Sequence, residues 1–215
     1  MVTIRSTGGR VAAYAWLAFA ALNLADLLFG ITGDASYTPL TFGIGVLLLL
    51  GSGVAYAVGL RPAIIGDDDA VTIRNPLRDV RAPWAAVRRI EGTNAVTVRF
   101  TGPDGAELES RAWVHQTSPR AQAKAEARAR KEATKQQEFD LRGRTPAAYA
   151  AQQLNEIRDR QRPRTKSGAP DRAAAAKEAA DESAKGTVTW SVPALASLGV
   201  PLALLVVVVI VAAVS

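Results

Sequence analysis

All 26 lysines and arginines of this 215-residue chain fall in two blocks, up to Arg10 or from Arg61 to Lys185. The apolar stretches outside those blocks contain none. A cationic side chain at the centre of a bilayer costs a few kcal/mol, so this partition marks where the chain can enter lipid. Three stretches qualify, at residues 11–32, 40–60 and 190–214. Each supplies about the 20 predominantly apolar residues that a helix rising ~1.5 Å per residue needs to cross a hydrocarbon core of ~30 Å. The third is the plainest, because Leu202 to Val214 is an unbroken run of Leu, Val, Ile and Ala.

Short loops rich in Lys and Arg stay in the cytoplasm. Arg5 and Arg10 therefore hold the N-terminus inside, and Arg61 brings the chain back inside after the second span. The turn at 33–39 carries only Asp34 as a charge and faces out. The expectation is a multi-pass protein of the inner (plasma) membrane, with a cytoplasmic basic segment and Ser215 on the far side. A secretory signal is the other reading of the first stretch. Asn23 and Asp26 interrupt its apolar core, and Gly33-Asp34-Ala35-Ser36 is a poor cleavage site, so retention is expected.

Composition removes several function classes. There is no Cys, which excludes disulfides and thiolate metal sites, and a single His excludes a multi-histidine centre. Paired acids, a phosphate loop and a nucleophile beside a base are all missing from the sequence, so no enzyme, metal or cofactor is expected. The formal charge of +6 and pI near 10.0 arise in the cytoplasmic part. There they fix topology, and each well-placed cation attracts anionic head groups by roughly 1 kcal/mol.

Between Arg61 and Val114 the apolar period shortens to two, the pattern of a small antiparallel sheet. Val71 and Ile73 alternate with Thr72 and Arg74, and Asn75-Pro76 turns the chain into a run over 78–82. Further strands are expected at 84–90, 95–101 and 108–114, with Gly102-Pro103-Asp104-Gly105 closing a hairpin. Such a meander must bury its apolar face by curling or under a helix.

The run Asp67-Asp68-Asp69-Ala70-Val71-Thr72-Ile73-Arg74-Asn75-Pro76-Leu77-Arg78, followed by Arg81-Ala82-Pro83-Trp84-Ala85-Ala86-Val87, resembles bacterial PH-like domains of the low molecular weight protein antigen 6 type. The most specific element is Arg-Asn-Pro-Leu-Arg with Pro-Trp a few residues later, and a preceding helix pair matches the family's arrangement. The resemblance implies a bent antiparallel sheet closed by a C-terminal helix, and no catalytic activity. It departs from the family at Ala70, where the tight turn would carry Gly.

Ser118-Pro119 is expected to open an Ala-rich helix reaching about Glu138, and Thr145-Pro146 a second one reaching Arg160. In the second, Ala147, Ala150, Leu154 and Ile157 form a stripe beside Tyr149 that needs a partner: the sheet, another protein or the membrane surface. Residues 161–186 have no apolar period and read as a flexible tether. The expected organisation is a cytoplasmic N-terminus (1–10), a helix hairpin (11–60), a PH-like β domain (61–117), a helical extension (118–160), a linker (161–186) and a last membrane helix (187–215). The fold class is thus membrane α-helical plus a small α+β domain.

Candidate sites are of two kinds. Arg74, Arg78, Arg81, Arg88, Arg89 and Arg99 put a basic excess on the domain, suited to lipid head groups or a protein partner. Asn23, Asp26, Gly51 and Gly53 are candidates for helix pairing, since small and polar residues let membrane helices approach and bond. The Asp67–Asp69 run reads as a solvated loop before a cation site, and His115 as structural. No nucleic-acid role is expected, because the basic helix after Pro119 has no interleaved aromatics. The leading expectation is a non-enzymatic membrane protein displaying a cytoplasmic PH-like domain to a protein or anionic lipid. The alternative is an accessory subunit of a larger membrane enzyme.

Overall fold

The computed structural model describes residues 1–33, 37–114, 145–161, 163, 171, 173–174 and 184–214. The expected helix from Ser118, His115, Asp34 and most of the 161–186 tether lie outside them. The chain divides into two compact units, Met1–Arg5 with Ala63–Thr189, and Ser6–Pro62 with Trp190–Ser215.

The first unit contains two antiparallel sheets and a helix. Sheet A has the order β1-β2-β3-β4-β8, with β1 at Val2–Ile4, β2 at Ala63–Gly66, β3 at Ala70–Arg74, β4 at Arg78–Pro83 and β8 at Thr187–Trp190. Sheet B has the order β5-β6-β7, at Val87–Gly92, Val96–Thr101 and Glu107–Arg111. Period-two alternation turns one face of each sheet inward: Ile64, Val71, Ile73, Val80 and Ala82 from A, and Val87, Ile90, Val96, Val98 and Phe100 from B, form one core. The helix α3, Pro146–Gln161, covers it with the predicted stripe of Ala147, Ala150, Leu154 and Ile157. Thr145 caps this helix by accepting from the Ala148 N–H at 3.2 Å, and Asn155 donates to the Ile90 carbonyl at 3.2 Å. The sheet is the partner that the stripe required.

Several elements differ from the sequence expectation. Residues 84–86, expected in a strand, form a turn, with the Ala86 N–H bonded to the Pro83 carbonyl at 2.9 Å. The last strand of sheet B stops at Arg111, three residues before Val114. Two strands were not anticipated. β1 pairs with β2 in the register Val2↔Gly66, Thr3↔Ile65 and Ile4↔Ile64, which sets Val2 and Ile4 against the core. β8 takes Trp190 out of the third apolar helix, which begins at Val192.

The second unit holds three helices long and apolar enough to cross a membrane: α1 at Thr7–Phe29, α2 from Pro39 and running to Leu60, and α4 at Val192–Val214. Ser6 caps α1, accepting from the Gly9 N–H at 3.3 Å, and Gly30 ends it in the left-handed conformation at φ 62°. The α-helical part of α2 ends at Val54 and its last turns, Ala55–Leu60, are π-helical, with the Arg61 N–H reaching the Tyr56 carbonyl at 3.0 Å. Small residues set the packing. Gly51 faces the Trp16 indole of α1, and a Cβ on Gly53 would overlap the Ser197 carbonyl of α4, so the third helix lies against the second at near-backbone distance.

Leu154 is fully buried between the sheets and the rest of α3. Truncation to Ala removes three heavy atoms and leaves a cavity, so Leu154→Ala should cost about 2–5 kcal/mol. Thermal unfolding of the detergent-solubilised full chain, followed by protease resistance of the sheet unit, measures it.

Candidate interaction surface

The residues that carry the family resemblance hold the sandwich together at its corners. In the Arg74–Arg78 turn the Asn75 N–H donates to the Arg78 carbonyl at 2.8 Å. The Asn75 side chain then reaches the end of β7, donating to the Arg111 carbonyl at 3.0 Å and accepting from the Trp113 N–H at 2.8 Å. One amide thereby ties a hairpin of sheet A to the exit of sheet B. Trp84 makes a second tie: its indole N–H donates to the Asp67 carbonyl at 2.9 Å, and its main-chain N–H to the Asp69 carbonyl at 3.0 Å.

Asp67 organises the turn between β2 and β3. Its Oδ1 accepts from the N–H groups of Asp69 at 2.9 Å and Ala70 at 2.6 Å, and its Oδ2 meets Arg81 at 3.2 Å. These side-chain bonds close the turn with Ala70 where the family pattern carries Gly, and the Asp67 N–H completes it on the Ala70 carbonyl at 3.0 Å. The acidic run is thus a capped loop, and among the described residues no group of His, Asp and Glu is arranged to hold a metal ion.

The six candidate arginines divide between the two sheets. Arg74, Arg78 and Arg81 belong to sheet A, and Arg88, Arg89 and Arg99 to sheet B. Arg81 also approaches the Thr72 hydroxyl at 3.4 Å. On sheet B, Arg88 donates to the Thr101 hydroxyl at 3.1 Å, Arg89 pairs with Glu91, and Arg99 pairs at 2.9 Å with Glu109 directly across the ladder. Arg88 and Arg89 are both exposed although adjacent, because the register shifts between Val87 and Arg89. Arg89 and Arg99 face each other across β5 and β6, with Glu91 and Glu109 moderating their repulsion. The six arginines therefore divide three and three between the two sheets.

The candidate helix-pairing residues also separate. Gly51 and Gly53 lie at helix contacts, as described above. Asn23 donates to the Phe19 carbonyl of its own helix at 2.8 Å. Asp26 accepts from the N–H and hydroxyl of Thr32 at 2.8 and 3.0 Å, closing the chain just beyond α1. Neither polar side chain reaches a second helix through these bonds.

Burial pushes the Asp67 carboxyl upward, but the Ala70 and Asp69 N–H groups and then Arg81 outweigh it and hold the group below its ordinary value of 3.8. A lowered folded value makes the ionised group stabilising above the unfolded value, with that contribution lost as pH falls through the folded one. Asp67→Asn should therefore be less stable than the parent at neutral pH, and the gap should close below pH 3.8. Parallel urea melts of the two proteins across that range check it.

Residues 61–132 match the family model described as Bacterial PH domain. The match takes in β2 to β7 and leaves β1, α3 and β8 outside. No curated protein and no solved structure is significantly similar to the chain. Two antiparallel sheets packed face to face with a helix over their shared core form a PH-like sandwich, and over residues 61–132 the chain is similar to a bacterial PH domain.

Proposed function

We propose that this is a non-enzymatic integral membrane protein whose PH-like domain is an interaction module held at the cytoplasmic face, where it binds a protein partner or anionic lipid. The observation that carries the reading is continuity. Two residues, Arg5 and Ser6, join β1 to α1; Arg61 and Pro62 join α2 to β2; Ser191 alone joins β8 to α4. A domain with three such short connections to apolar helices works within reach of a bilayer. Arg5, Arg10 and Arg61 flank the helix hairpin on the domain's side, and short basic flanks are retained in the cytoplasm.

Arginines on both sheets offer two binding modes, since cations attract acidic protein surfaces and anionic head groups alike. Replacing Arg74, Arg78 and Arg81 together by Gln neutralises one set; replacing Arg88, Arg89 and Arg99 neutralises the other. Crosslinking of the full chain in native membranes should lose its captured partner, or vesicle binding its dependence on anionic lipid, in one triple variant while membrane insertion is unchanged. Unaltered capture and lipid dependence in both would overturn the proposal. Co-migration with a stoichiometric membrane enzyme would assign the chain to that complex instead.

A further inference from the structure

β8 is built unlike the strands beside it. β3 and β4 bury alternate side chains, whereas Thr187, Val188, Thr189 and Trp190 are all exposed. No β8 side chain belongs to the core. The strand is hydrogen-bonded along the edge of β4. Its entry is held by Gly186, whose N–H donates to the Thr101 carbonyl at 2.8 Å. A Cβ at position 186 would overlap the ring of Phe100, a fully buried core residue, so only glycine brings the main chain this near. In sequence, the 25 residues from 162 to 186 separate β8 from α3.

Main-chain bonding along an edge with one shaped seat is how extended peptides dock on sheets. Segments with few buried contacts are also the ones that open locally. We infer that β8 is a strand in cis occupying a peptide-docking edge. Peeling from Gly186, it bares β4 for an uncharged extended segment of a partner protein, with a glycine ahead of β-branched residues as in Gly186-Thr187-Val188-Thr189. This rests on the interaction-module reading and adds its regulation: β8 and the partner compete for one edge.

The probe is a labelled synthetic peptide of residues 184–191, added to the full chain in nanodiscs. Gly186→Val opens the seat. A second variant, Thr187→Pro with Val188→Pro, leaves the core untouched and removes two successive N–H groups, one of which faces β4 whatever the register. Both variants should lose hydrogen-exchange protection along 78–83 and bind the peptide at least about tenfold more tightly than the parent, because the competing strand no longer lowers the accessible fraction. Peptide carrying Gly186→Val should not bind. Loss of protection without peptide binding would overturn the inference, as would β8 staying protected in both variants. Dimers formed on opening would assign the edge to a second copy's β8 and overturn the partner reading. None of these failures alters capture through the arginines, which tests the interaction module separately.

Discussion

Ile4 faces Ile64 across a hydrogen-bonded ladder, with two apolar helices between them in the chain. A ladder cannot form across a bilayer, because every N–H and C=O must find its partner in the same compartment. In the membrane reading proposed above, the N-terminus and the segment after α2 therefore share a side, and α1 and α2 cross as a pair. β8 extends the constraint to the other end of the chain: it ends one residue before α4 and belongs to the same sheet. The strand pairing thus supports the proposed topology independently of the arginine distribution, which argues the same way.

The sheets stay together for equally local reasons. One core runs through both sheets and α3, so the helix that follows the sandwich is part of its hydrophobic closure. The corners are fastened by polar groups with little freedom to choose other partners. Asn75 satisfies two main-chain groups at the end of β7, and Trp84 buries its ring while its indole N–H finds the Asp67 carbonyl. The Arg-Asn-Pro-Leu-Arg and Pro-Trp elements thus supply the side chains that make these corner bonds.

The three long apolar helices were legible because each stretch supplies about 20 predominantly apolar residues, with Asp26 the one charged side chain among them, as a bilayer crossing requires. β3, β4 and β6 were legible from alternation, and the stripe on α3 from its spacing. Its partner was not, since nothing local to Leu154 identifies the sheet it covers. β1 escaped notice because three residues are too few to show a period. β8 was hidden by its own side chains: Val188 and Trp190 run into Val192 and Pro193 as if the apolar helix had begun. Trp84, Ala85 and Ala86 looked like strand for the opposite reason, being apolar in a turn. The arginines were visible as residues but not as two sets, because their division between the sheets follows from strand pairing.

The proposed function rests centrally on both ends of the sheet and the strands between them occupying one compartment, the cytoplasm. Single cysteines at Thr3, Asp104 and Thr189, all exposed, and one at Ser215 can be challenged in intact cells with a membrane-impermeant thiol reagent. The account predicts that only the cysteine at 215 reacts until the membrane is permeabilised, after which the other three react as well. Labelling of any one of the three in intact cells would contradict it.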